Sequence, residues 1–142
     1  MTTLSELLAT KGRDVMSIAP DDSVFSAIEA MAKHGVGALL VMDDDKLVGI
    51  VSERDDARKV ILAGRSSKET PVRAIMSSKV ICAEPSRTIQ EGMAIMTERK
   101  IRHLPVLEGA KVVGVVSIGD LVKAIIAAQK HTIEQLERYV SG

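Results

Sequence analysis

An internal duplication constrains this chain more than any other feature. When Pro20 is aligned with Pro85, the motif G-x-x-S-x-x-D falls at the same place in both copies, within GIVSERDD (49–56) and GVVSIGDL (114–121). Further matches in this frame are Met31 with Met96, Leu39 with Leu104, Val41 with Val106 and Lys46 with Lys111. Because a repeated pattern of this length is the signature of a repeated supersecondary unit, the chain is expected to fold as two similar units.

Each copy predicts the order strand, helix, strand, strand, helix. In the first copy, Asp22-Ser23 caps a helix that ends at Gly35, GALLVM and KLVGIV form a hairpin around DDDK, and SERDDARKVILAG forms a helix. In the second copy, VICAE is the leading strand, residues 88–100 form a helix, RHLPVL and KVVGVV form the hairpin, and a helix runs from Ser117 to about Gln129. The fold class is therefore α/β (α+β). The expected divisions are an N-terminal segment (1–13), the first repeat (14–64), a linker with the second repeat (65–129) and a helical tail (130–142).

Composition excludes several classes of protein. The 142 residues carry 19 basic and 19 acidic side chains, and no basic stripe follows from their order, so a nucleic-acid partner is not expected. Cys82 is the only cysteine, which favours a cytoplasmic protein without disulfides or a metal site. No window of about 18 apolar residues predicts a membrane span, and the first residues do not resemble a signal peptide, so a soluble protein is expected.

Catalytic motifs are missing from the sequence. The three histidines are scattered, and neither H-E-x-x-H, C-x-x-C nor G-x-S-x-G occurs. The glycine-rich patterns G-x-G-x-x-G and Walker A are missing as well. The sequence therefore predicts a protein that is not an enzyme and has no catalytic cofactor.

The two Ser–Asp pairs support two interpretations. At a strand-to-helix junction, Ser52 with Asp55 and Ser117 with Asp120 have the spacing of a capping box, which needs no ligand. Alternatively, each carboxylate accepts hydrogen bonds from both hydroxyls of a ribose, while the serine hydroxyl adds a contact. Since capping does not use every lone pair of the carboxylate, both interpretations can hold together.

The duplication, the element order and both copies of the motif resemble a tandem pair of cystathionine-beta-synthase (CBS) domains, the two-repeat Bateman module, over about residues 14–127. The tail IEQLERYVSG resembles stand-alone bacterial members. The resemblance implies two βαββα repeats in a pseudo-two-fold arrangement, with two clefts that bind adenosine-containing ligands such as AMP, ADP, ATP or NAD(H). It also implies a regulatory module that acts on an enzyme or a transporter.

The resemblance carries site roles onto particular residues. Ser52, Asp55, Ser117 and Asp120 match the ribose-binding positions, and Arg102 and His103 stand where the family commonly has cations that face the phosphates. The alternative for Arg102 and His103 is a solvated basic edge. Arg54, next to Asp55, is a second candidate cation, or else an exposed arginine on the helix face. The adenine pockets would be lined by apolar residues of the leading strands and first helices, namely Val80, Ile81, Cys82, Gly92 and Ile101 in one cleft and Val15, Met16, Ala27 and Val36 in the other. Gly37 and Ala38 stand where the second copy has Arg102 and His103, so the two sites are not equivalent.

Two further expectations follow from the resemblance. If the aspartate of one repeat and the phosphate pocket of the other bind the same ligand, Asp55 belongs to the tighter binding event and Asp120 to the weaker one. A homodimer is expected, with interfaces supplied in part by the helices that contain Val24, Ala27, Ile28 and Met31, and Ile89, Gly92, Met93 and Met96. The competing hypotheses are a ligand-free dimerisation or interaction module, and a binder of S-adenosylmethionine or of a dinucleotide.

Overall fold

The duplicated sequence forms two units of mixed helix and strand in the computed structural model, which describes residues 2–141. The elements in chain order are α1 (Leu4–Lys11), β1 (Ser17–Ile18), α2 (Val24–His34), β2 (Ala38–Asp43), β3 (Lys46–Ser52), α3 (Glu53–Asp56), a π-helical turn (Ala57–Ile61), a 3₁₀ turn (Val72–Ala74), α4 (Ile89–Arg99), β4 (His103–Glu108), β5 (Lys111–Ser117) and α5 (Ile118–Ser141). The first-repeat unit is Val15–Ile81, and the second-repeat unit joins residues 2–14 to 82–141. The contacts thus group 65–81 with the first repeat and the N-terminal segment with the second.

A three-stranded sheet and one long helix form the first-repeat unit. The sheet order is β1-β2-β3, with β1 parallel to β2 and β2 antiparallel to β3. Helix α2 begins at the Ser23 cap, whose side chain accepts from the Ser26 N–H, and ends at Gly35 in the left-handed conformation. Its apolar stripe enters the core, where Val24, Ala27 and Met31 are completely buried.

The segment after the linker closes this unit. Val72 and Ile75 are buried in the core of the first repeat, and Ser77 exchanges two backbone hydrogen bonds with Ile50. A Cβ atom at Gly49 would lie 2.5 Å from the Met76 sulfur, so glycine is what permits this close approach.

A two-stranded sheet, β4 with β5, forms the centre of the second-repeat unit. Helix α4 begins with a complete capping box, in which Thr88 and Glu91 satisfy each other's backbone N–H groups, and it ends at Lys100 with φ 55°. These bounds confirm the predicted helix over 88–100.

The predicted strand VICAE is reduced to one bridge, Ala83 with Val106. In the first-repeat unit, the Leu40 N–H donates to the carbonyl of Met16 and extends the parallel ladder. The corresponding residue of the second repeat is Pro105, which has no N–H to donate. The strand prediction was therefore wrong here, because a proline in β4 removes the bond that would continue it.

Helix α1 completes the core of the second-repeat unit. The Thr3 side chain caps it, and Leu4 and Leu8 are fully buried. Leu8 lies against Gly114, where a Cβ atom would be 2.6 Å from Leu8 Cδ2, and Leu4 lies against Gly92. Leu8 over Gly114 thus repeats the contact of Met76 over Gly49.

The helices that follow the two Ser–Asp motifs differ from each other. The first is four α-helical residues followed by a π-helical turn, and of its predicted apolar stripe only Val60 is buried, whereas Ile61 is 62% exposed. The second, α5, continues without a break through the predicted tail to Ser141, and only Leu121 in it is fully buried.

Candidate functional site

Ser52 and Asp55 form a complete capping box where β3 enters α3. The Ser52 N–H and hydroxyl donate to Asp55 Oδ2 at 3.0 and 3.1 Å, and the Asp55 N–H donates to Ser52 Oγ at 3.3 Å. The Asp55 side chain is 17% exposed. The carboxylate is held at the helix N-terminus, where the positive end of the helix dipole stabilises it.

Ser117 and Asp120 repeat this geometry where β5 enters α5. The Ser117 N–H donates to Asp120 Oδ2 at 2.8 Å, and the Asp120 N–H donates to Ser117 Oγ at 3.1 Å. The capping interpretation of both motifs is therefore confirmed. It accounts for the spacing of the motif by itself, so a ligand-binding role needs separate support.

A lysine ammonium contacts each of these carboxylates, which the sequence analysis did not anticipate. Lys59 Nζ lies 3.2 Å from Asp55 Oδ1 and donates to the carbonyl of Ile75 at 2.8 Å. Lys11 Nζ lies 2.5 Å from Asp120 Oδ2 and donates to the carbonyl of Val115 at 2.7 Å. Lys59 is four residues after Asp55 on the helix, a spacing that the sequence could have revealed. Lys11 has no such signal, because it comes from α1.

Opposing effects set the ionisation of Asp120. Burial is the largest single effect and raises the pKa of this carboxyl, but the hydrogen bonds from Lys11 and Ser117 and the positive charge of Lys11 together outweigh it. The pKa of Asp120 therefore lies below its usual value, and the group is a carboxylate at neutral pH.

Arg102 and His103 lie beside the second motif. His103 is paired with Ser117 across the hairpin, and the carbonyl of Arg102 accepts from the Ile118 N–H at 2.9 Å. Burial and the positive charges of Lys11 and Arg102 lower the pKa of His103, although Asp120 opposes the shift. The second-repeat unit thus gathers Lys11, Arg102, His103, Ser117 and Asp120, which we call the second-motif cluster.

The matching position of the first-repeat unit has no such cations. Ala38 is paired with Ser52 across the hairpin, and the Gly37 carbonyl accepts from the Glu53 N–H at 3.1 Å. The first-motif cluster therefore consists of Ser52, Asp55 and Lys59. Arg54, predicted as a phosphate contact, is exposed on the helix surface.

The apolar residues predicted to line the adenine pockets divide into two groups. Half-buried residues are Val15, Met16, Val36, Val80, Ile81, Cys82 and Ile101. Met16 and Val36 pack against the core of the first-repeat unit, and burial raises the pKa of the Cys82 thiol. In contrast, Ala27 and Gly92 are buried inside the cores of their units, so neither can line a pocket open to a ligand.

An open groove of about 570 Å³ lies at the far end of the β4–β5 hairpin, away from the second motif. Its lining residues include Cys82, Glu84, Ser86 and Glu108. Two exposed carboxylates repel a polyphosphate, so the groove does not suit a nucleotide. No cluster of three or more metal-binding side chains occurs in the part of the chain that the structure describes.

Comparison with known proteins identifies the family. The model of the CBS domain family matches twice, over residues 4–55 and 72–127. This chain belongs to the CBS-domain family. The first match begins at α1 and the second at Val72, so each includes a segment that lies ahead of its repeat. CBS-domain pairs are typically regulatory, ligand-binding modules.

Three similar proteins are covered by this CBS-domain protein along most of their own length. It is 37% identical, over 99% of the chain and 73% of the relative, to the Arabidopsis thaliana protein named CBS domain-containing protein CBSX3, mitochondrial. It is 30% identical to the CBS domain-containing protein YhcV of Bacillus subtilis, covering 83% of this chain and 84% of that protein. A solved CBS-domain structure from Burkholderia ambifaria is 52% identical, with a TM-score of 0.86, covering 90% of this chain and 96% of that one. Across residues 2–141, no helix is both long and apolar enough to cross a bilayer.

Proposed function

We propose that this CBS-domain protein is a non-catalytic cytoplasmic sensor that binds an adenine nucleotide, AMP, ADP, ATP or NAD(H), at its Ser–Asp motifs. The observation that carries the proposal is the second-motif cluster, in which the cations Lys11 and Arg102 lie beside the part-buried Asp120 carboxylate, an acceptor suited to a ribose diol. The single cysteine of the sequence, Cys82, forms no internal disulfide, which fits a reducing compartment. The ligand shifts the protein between two states that an enzyme or a transporter distinguishes.

The Asp120 carboxylate retains acceptor capacity for a ribose. A carboxylate offers about four lone-pair positions, and a ribose diol donates two hydrogen bonds. The Ser117 N–H and Lys11 both bind Oδ2 of Asp120, so Oδ1 of that group takes neither of these bonds. Because its capping bonds already hold the carboxylate in place, little conformational entropy is lost when the diol binds.

The cations of the second-motif cluster suit the phosphates of the same class of ligand. Lys11 and Arg102 are cationic side chains, and Arg102 is exposed. Together with Asp120 they place a diol acceptor and phosphate donors in one unit. This combination favours a ribonucleotide over an adenosyl compound without phosphates, such as S-adenosylmethionine.

The proposal predicts selectivity for the ribose. Calorimetric titration with ATP and with 2′-deoxy-ATP should show weaker binding of the deoxy compound by about tenfold or more, since one bond to a charged acceptor, about 1.5–3 kcal/mol, is lost. A parallel thermal-shift panel of AMP, ADP, ATP, NAD, NADH and S-adenosylmethionine identifies the preferred ligand.

Variants of the motifs provide the control. Asp120→Ala is expected to weaken binding most, because Asp120 lies with Lys11 and Arg102, and Asp55→Ala should weaken it less, the reverse of the order expected from the resemblance. Asp56→Ala, at the neighbouring carboxylate that accepts from Ser67, should leave the titrations unchanged. Equal affinity for the two forms of ATP would rule out the ribose role. If no ligand of the panel binds, the sensor proposal is wrong and the interaction module is the better explanation.

A further inference from the structure

The outer half of α5 presents apolar side chains that the described chain leaves uncovered. Ile126, Ile133 and Leu136 are 57%, 55% and 60% exposed, and Val140 is 85% exposed. Every residue from 126 to 141 is exposed. A helical stretch of this length is only marginally stable in water without packing of its apolar face, so a partner for that face is expected.

The residues predicted to form a dimer interface do not supply this surface. Val24, Ala27 and Met31 of α2 are completely buried within the first-repeat unit, and Ile89 and Met96 of α4 are at most 3% exposed. That part of the interface prediction was wrong, because these side chains already form the cores of their units.

Six positions of α5 follow a coiled-coil repeat, five of them apolar. Their separations alternate between four and three residues along the series Val122, Ile126, Gln129, Ile133, Leu136 and Val140. In heptad terms the a positions hold Ile126, Ile133 and Val140, and the d positions hold Val122, Gln129 and Leu136. The β-branched residues at all three a positions, with Leu136 at one d position, favour a parallel two-stranded coiled coil.

We propose that a second copy of this chain covers α5, forming a parallel, in-register coiled coil through residues 122–140. In this arrangement Gln129 meets Gln129 of the other copy, and the two amides hydrogen-bond to each other. In an antiparallel pairing of the same a and d residues, Gln129 lies opposite Ile133 of the other copy. Its amide then has no second amide to hydrogen-bond with.

The charged residues at the edges of the coiled-coil interface influence its orientation less than the Gln129 layer does. In the parallel pairing, e positions face g positions of the other copy, so Lys130 lies near Ile125 and Glu137 lies near Thr132, and no like charges meet. In the antiparallel pairing the two copies of Lys130 face each other, but Lys123 then lies near Glu137. Because exposed charge pairs contribute at most about 1 kcal/mol each, the buried Gln129 layer sets the orientation.

A charge introduced at an a position tests the coiled-coil interface. Light scattering and sedimentation of the full chain should give twice the 15.2 kDa mass of one chain. Ile133→Glu should raise the dissociation constant at least about tenfold, whereas Gln135→Glu, which adds the same charge on the opposite side of the helix, should not change it. The proposal is overturned if the wild-type protein is monomeric at 100 µM, a concentration roughly 100 times a micromolar dissociation constant. It is also overturned if Ile133→Glu leaves the assembly unchanged.

Cross-linking tests the orientation. In a Cys82→Ser background, Val140→Cys should form an intermolecular disulfide under mild oxidation, because parallel pairing places the two copies of residue 140 side by side. In the antiparallel pairing residue 140 lies opposite residue 122 of the other copy, so the two thiols are about 27 Å apart. Because residue 133 lies outside both cores, circular dichroism should show that Ile133→Glu keeps both units folded. A dimer that resists cross-linking at residue 140 contradicts the parallel arrangement.

Discussion

At the scale of single residues, the main finding is that each motif carboxylate makes two kinds of contact at once. It caps its helix and it binds a lysine ammonium. The lysines come from different places, since Lys59 belongs to the same helix as Asp55 and Lys11 belongs to α1. Consequently the second motif is coupled to the docking of the N-terminal segment, whereas the first is not.

Replacing Lys11 should expose that coupling. Lys11→Met is expected to destabilise the protein by about 1 kcal/mol at pH 7, because it removes a partly exposed ion pair and one hydrogen bond to a backbone carbonyl. Urea unfolding measures this loss, with Lys111→Met, at an exposed residue of the same unit, as the control.

The stability difference between the wild-type protein and Lys11→Met should depend on pH. The pKa of Asp120 is lowered in the folded state, so its contribution to stability is present above the unfolded value of about 3.9 and is lost as the pH falls through the folded value. The destabilisation by Lys11→Met should therefore shrink at pH 3. A loss that stays constant between pH 7 and pH 3 would show that the ion pair does not stabilise the fold.

Residue-level prediction from the sequence succeeded where the signal was local. The S-x-x-D spacing predicted both capping boxes, since the bonds join residues three apart. The contact of Lys11 with Asp120 joins residues far apart in the chain, and no periodicity in the sequence reports such a contact.

At the scale of elements, two glycines in equivalent strands set how closely a neighbouring segment approaches. Leu8 of α1 packs on Gly114 in β5, and Met76 packs on Gly49 in β3. The repeat alignment matched the two glycines, and the predicted cap at Ser23 and the predicted helix over 88–100 agree with the bounds of α2 and α4. It missed α1, although Thr3 and Glu6 have capping-box spacing and Leu4 and Leu8 share one helix face.

Gly114→Ala should be destabilising although alanine is a better residue for a strand. The added methyl group would lie 2.6 Å from Leu8 Cδ2, and the fully buried Leu8 has no free space to enter, so the cost is about 1–3 kcal/mol. Combining it with Leu8→Ala should recover part of the loss, and a double-mutant cycle by urea unfolding measures the coupling. Strict additivity would mean that α1 does not pack on this strand in solution.

At the scale of the whole molecule, the two repeats are not two consecutive blocks of sequence. The second-repeat unit takes residues from both ends of the described chain, while the first-repeat unit is continuous from Val15 to Ile81. The sequence predicted two repeats of one kind, because repetition is visible in an alignment of the chain with itself. It could not predict which unit the N-terminal segment joins, since that depends on contacts between distant residues.

Removing residues 1–14 should therefore weaken the repeat that is farther away in sequence. Hydrogen exchange is expected to show lost protection in α4 and β5, which Leu4 and Leu8 cover, and retained protection in β2 and β3. The full-length protein is the reference, and a matched chain with Leu4→Ala and Leu8→Ala should reproduce the pattern without a deletion. Loss of protection confined to the first-repeat unit would contradict the observed packing.

The position of α1 also sets an order of events during synthesis. Lys11 leaves the ribosome 104 residues before Val115, its partner in β5. At about 5–20 residues per second, this separation corresponds to a wait on the order of ten seconds. An eight-residue helix is marginal on its own, so the nascent segment carries exposed leucines during that time. The continuous first repeat can fold meanwhile, so the residues of α1, although made before it, reach their native contacts after it.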